Sequence, residues 1–134
     1  MGIDTQKIAR KCLEDLSGKI ADASVNSDVP NIHDLRVAVR RTTQALHLAD
    51  DKLPDGVARK VRRRIREVRF CAAAVRDRDM IHELLLSHGL PMGDPACAFL
   101  RGERAMAAIH LQNYLSKLIK KGKPMSWIEL MEAK

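Results

Sequence analysis

From Thr5 to Lys121 apolar residues return every three or four positions, and no stretch alternates apolar with polar. That period belongs to an amphipathic helix; a half-buried strand would alternate with period two. The chain is therefore predicted to be all-α. Four clusters of turn residues interrupt the pattern: the segment from Asn26 to Asn31, Leu53-Pro54-Asp55-Gly56, His88-Gly89-Leu90-Pro91 and Gly122-Lys123-Pro124. Between them lie helices over about Thr5–Ala23, Ile32–Lys52, Val57–Ser87 and Pro95–Lys121. Asp94-Pro95 has the form of an N-cap followed by proline at the first helical position.

Four helices joined by short connections predict a four-helix up-down bundle over residues 1–124. Residues 125–134 form a tail. Ser126 and Glu129 have capping-box spacing, which predicts a short helix from Trp127 to Ala133. The apolar faces follow from the period. The first helix presents Ile8, Cys12, Leu16 and Ile20, with Leu13 beside them. The second presents Leu35, Ala38, Val39, Thr42, Leu46, Ala49 and Leu53, and the third Val57, Val61, Ile65, Val68, Ala72 and Val75. With 46% hydrophobic residues in 134 positions, the chain can fill the core of one domain.

The polar faces carry the unusual chemistry. On the second helix His33, Arg36, Arg40, Gln44 and His47 form a narrow stripe of donors with no acid, and Arg41 flanks it. It is about 21 Å long at 1.5 Å per residue, a length that suits an extended polyanion better than one small phosphate ester. On the third helix Arg59, Lys60, Arg62, Arg63, Arg64, Arg66 and Arg69 crowd into eleven residues with one acid, Glu67. Like charges four apart on a helix repel by a few tenths of a kcal/mol, a cost that a bound anion removes. Arginine dominates over lysine here, and its planar fork bonds phosphate in bidentate fashion. The overall formal charge of +7 favours the same class of partner.

Two charges fall at core positions. Asp79 continues the apolar stripe of the third helix, and Arg104 interrupts that of the fourth. Isolated buried charges are costly, so each is expected to be engaged. Either they pair and fix helix register, or Arg104 reaches the ligand groove at the bundle edge.

Other chemistries find little support. The cysteines, Cys12, Cys71 and Cys97, are scattered, as suits thiols in a reducing cytoplasm, the expected location. No metal site, cofactor or catalytic residue is expected: His33 and His47 are four turns apart, and no phosphate loop or acid–base carboxylate pair is present. No apolar run approaches a membrane span, and no signal-peptide core is seen. Only four aromatic residues are present, which disfavours stacking of bases.

The segments Ile32-His33-Asp34-Leu35-Arg36-Val37-Ala38-Val39-Arg40-Arg41 and Val75-Arg76-Asp77-Arg78-Asp79-Met80 resemble the two signature motifs of the CHAD family, the conserved histidine α-helical domains. Arg104 stands where the family carries an arginine in the following helix. The resemblance covers about residues 5–120. It implies a helical bundle that binds inorganic polyphosphate in a basic groove lined by His33, Arg36, Arg40 and Arg41. His47, Arg62, Arg66 and Arg69 join that set from the helical wheel and the charge run, and Arg104 from its place in the fourth helix. An older suggestion for the family, that its histidines hold metal or accept phosphate, gains little from the spacing here. Ala72-Ala73 replaces the usual leucine-glycine pair, and the chain spans one helical unit where the family usually has two.

The reading is thus a polyphosphate-binding module that is not an enzyme. The alternatives are a nucleic-acid-binding helical protein, or a regulatory subunit of a phosphate-metabolising enzyme. The single unit predicts a homodimer, with Trp127, Ile128, Leu130 and Met131 of the tail as the added contact element.

Overall fold

The structure, a computed structural model, describes residues 2–132. These residues form five helices and no strand: α1 (Thr5–Val25), α2 (Val29–Ala49), α3 (Val57–Ser87), α4 (Pro95–Lys120) and α5 (Lys123–Glu132), with a 3-10 turn at Asp50–Lys52 after α2. Ala133, the expected end of the last helix, lies outside the described residues.

Local chemistry explains most boundaries. The Asp4 carboxylate caps α1 by accepting from the Lys7 amide at 3.0 Å. Asp28 does the same for α2 through Asn31 at 3.0 Å, and Asp94 for α4 through Ala96 at 2.9 Å. The α2 cap lies earlier than the apolar pattern implies. Pro30 fits within the first turn, where its missing N–H has no partner to lose. Gly56, at φ 80, makes the left-handed turn that leads directly into α3.

Each of the first four helices packs on the next, and α1 also meets α4. That order of neighbours is compatible with a four-helix bundle. The expected apolar faces of α2 and α3 are buried, apart from the half-buried Val57. On α1 Leu13, Leu16 and Ile20 are buried as expected, and Ala9 and Ala23 complete the stripe where Ile8 and Cys12 were expected to contribute. Ile8 is 40% exposed and Cys12 half-buried. The small Ala9 is the residue turned inward at the end of α1 that also receives α5.

The tail departs from expectation. Its helix begins at Lys123, immediately after Gly122 turns the chain at φ 66. Ser126 is therefore inside the helix, and its hydroxyl donates to the Lys123 carbonyl at 2.9 Å instead of capping. Trp127 and Met131 are buried in the main core, with Ile128 and Leu130 packed against it. The Gln6 amide donates to the Met131 carbonyl, and Arg10 pairs with Glu132 at 3.3 Å. The apolar residues expected to meet a second copy instead close the open side of α1 within one chain.

Candidate functional site

Helix α2 presents its donor stripe along the edge of α3, with Arg36 half-buried and His33, Arg40, Gln44 and His47 exposed. The two helices enclose a groove of about 520 Å³. His33, Arg36, Arg40 and Gln44 line it from α2, and Arg69 and Arg76 from α3. Val37, Val39 and Thr43 complete it, and no acid is among the lining residues. None of these four arginines forms a salt bridge among the described residues. Burial lowers the pKa of Arg36, and the nearby Arg76 lowers it further. Asp77 partly offsets this, while Arg40 adds to it. Cations are thus crowded along the groove, and Arg36 is partly withdrawn from water, which favours an incoming anion.

One turn past Gln44, His47 meets Arg62. The Arg62 Nη1 lies 2.9 Å from Nδ1 and 2.7 Å from Nε2 of the imidazole. A guanidinium can only donate, so the ring accepts through an unprotonated nitrogen. At the other end His33 and Arg76 also border a neighbouring hollow of about 370 Å³, where Asp34, Asp79 and Glu83 bring acids. The acid-free section therefore ends at His33 and Arg76.

The remaining residues singled out from the sequence lie elsewhere. Arg41 is exposed on the α1 side, where its charge partly offsets the burial that raises the Cys12 thiol pKa. Arg66 is exposed and does not line the groove. Arg104 does not line it either, because its donors are occupied. Its Nε donates to Asp79 Oδ1 at 2.9 Å, and its Nη2 donates to the Ser27 carbonyl at 2.6 Å. Both side chains remain 24% exposed, less buried than their core-facing positions implied. The pair clasps α3, α4 and the turn before α2, and so holds in place the end of α2 that carries His33.

Arg76 is the groove residue that sequence reasoning missed. It stands in the second motif segment, outside the arginine run from Arg59 to Arg69. Yet it follows Arg69 by seven residues, so it continues the Arg62–Arg69 row past the small Ala73.

The motif segment of α2 therefore lies beside that of α3, with His33 and Arg76 on one groove. A protein-family model described as CHAD domain matches residues 7–121. The chain belongs to the CHAD family. No curated protein and no solved structure matches it. The CHAD match begins within α1 and ends just past α4, so α5 is an addition to the matched region. Among the described residues of this CHAD domain, no group of three or more His, Cys, Asp or Glu is placed to hold a metal ion. Among the described residues, no helix is long and apolar enough to cross a membrane.

Proposed function

We propose that this CHAD domain binds inorganic polyphosphate in the groove between α2 and α3, on a four-helix up-down bundle. The observation that carries the reading is the lining: four arginines and a histidine from two helices, with no carboxylate among them. Arg36, Arg40, Arg69 and Arg76 act as phosphate forks. His33 supplies a further hydrogen-bond donor at the end of the row. The His47–Arg62 contact extends the cationic track by one turn. Arg104 and Asp79 position α2 and do not touch the ligand. On this reading the protein acts by binding and not by catalysis. A reducing cytoplasm, where the free thiols persist, is the proposed location.

A second copy of the chain is the proposed protein partner. Helix α4 carries a second, exposed apolar row, with Phe99 at 66%, Met106 at 70% and Ile109 at 52% exposure. This row supports dimerisation through α4 in place of the tail.

The ligand is tested by competition at matched phosphate concentration and fixed salt, with long polyphosphate against ATP, orthophosphate, RNA and duplex DNA. Long polyphosphate is expected to bind far better than ATP. Its affinity should fall steeply with salt, by roughly 0.7–0.9 logarithmic units per phosphate contact for each tenfold rise in salt, as for nucleic acids. ATP competing as well as long polyphosphate would refute an extended groove.

A further inference from the structure

The groove uses only one flank of α3. Its core side is Ala58, Val61, Ile65, Val68, Ala72 and Val75. At about 100° per residue, Arg69 and Arg76 lie toward α2. Glu67 lies toward α4, where its carboxylate accepts from the Tyr114 hydroxyl at 2.6 Å. Arg59, Arg63, Arg66 and Phe70 then fall opposite the core. All four are exposed, and none of the three arginines is in a salt bridge among the described residues. The neighbours of α3 are α2, α4 and the 3-10 turn, which flank this ridge without covering it. The ridge runs about 16 Å along the helix at 1.5 Å per residue.

We propose that this ridge is a second anion-binding surface, separate from the groove, and that it docks duplex nucleic acid through the backbone phosphates. Its convex shape decides the partner. A thin, flexible anion gains no enclosure on a projecting ridge, whereas it does in the groove. A duplex presents rigid rows of phosphates on both sides of a major groove about 12 Å wide, matched to an α-helix of roughly 10–12 Å diameter. Single strands bind by stacking on several aromatic side chains, and the ridge has only Phe70. That ring is also occupied, since the Arg69 guanidinium lies 5.5 Å from its centroid. A membrane-surface helix needs a broad apolar face beside its cations, and one phenyl ring does not supply it. Arg59, Arg63 and Arg66 reach phosphates and read no sequence, so binding is general.

The test is anisotropy with a short labelled DNA duplex, using the intact protein, the R59A/R63A/R66A variant and the R36A/R40A variant. The ridge variant should lose roughly tenfold or more in duplex affinity and show a shallower salt slope, while keeping polyphosphate. The groove variant should do the reverse. Lysine at all three ridge positions should retain most duplex binding, and circular dichroism should show unchanged helix content in every variant. Saturating polyphosphate should leave the duplex bound in a ternary complex visible by sedimentation.

The proposal is overturned if the ridge variant binds duplex as the intact protein does, or if the R36A/R40A variant loses duplex binding equally. Complete displacement of the duplex by polyphosphate also overturns it, as does ridge-dependent binding to phosphatidylserine vesicles that exceeds binding to duplex. Loss of the polyphosphate reading alone, with ridge-dependent duplex binding intact, leaves this inference standing.

Discussion

Arg36 and Arg40 sit on a helix face that contributes nothing to the core, so they can be removed without unfolding the chain. The Arg36→Ala, Arg40→Ala double variant should keep its melting temperature within about 2 °C, as surface substitutions usually stay within about 0.5 kcal/mol. Titration calorimetry should show polyphosphate affinity falling, since a hydrogen bond to a charged group is worth roughly 1.5–3 kcal/mol. Arg36→Lys should also weaken binding, because the bidentate fork is lost while the charge stays. Unchanged affinity in the double variant moves the site elsewhere. Asp79 and Arg104 call for the opposite treatment. Each single alanine strands a half-buried partner, so removing one should be more damaging than removing both. A thermal double-mutant cycle that shows simple additivity contradicts the direct pair seen at 2.9 Å. At this scale the sequence was informative about residue type and angle on its own helix. His33, Arg36, Arg40 and Arg69 were legible in that way. Arg66, chosen from the wheel, and Arg41, implied by the resemblance, turn elsewhere, because neither a wheel nor a motif gives a neighbour. Arg76 lies beyond the arginine run that drew the reading, although its heptad offset from Arg69 was visible.

Among the elements, α3 and α4 were read closely, because their starts and stops are written in local chemistry: Gly56, the Asp94 cap and the glycine turns. Helix α5 was not, since a capping box and a serine inside a helix look alike in one dimension. Its packing changes what truncation should do. Deleting residues 125–134 removes the buried Trp127 and Met131 and exposes the side of α1 they cover. The expected result is a large fall in melting temperature, and Trp127→Ala alone should cost about 3–5 kcal/mol in denaturant unfolding. A truncated chain that melts with the intact one, and changes only its oligomeric state, restores the tail as a dimer element. The exchange of Ile8 and Cys12 for Ala9 in the first turns of α1 has a related origin. Ile8–Cys12 and Ala9–Leu13 fit a helical period equally well, and only the position of α2, α4 and α5 around α1 selects between them.

For the whole molecule, α4 poses the remaining question, because it is apolar on two sides. Leu100, Leu111, Leu115 and Leu118 are buried, while Phe99, Met106 and Ile109 face water. Sedimentation at micromolar concentration should report a species near twice 15.0 kDa. Met106→Glu should return it to monomer with little change in helix content. A strictly monomeric intact protein ends the dimer reading. The all-helical class, the punctuation between helices, the core faces of α2 and α3, and the presence of a long cationic stripe are legible in the residues alone. All of these depend on interactions within a few residues along the chain: periodicity, caps and turn residues. Helix packing set the rest: the stripe borders α3, Arg76 joins it, Arg104 clasps Asp79 and the Ser27 carbonyl, and the tail belongs to the core. Those outcomes depend on how helices far apart in sequence meet, and helical period gives each helix an inward side without specifying which neighbour will occupy it.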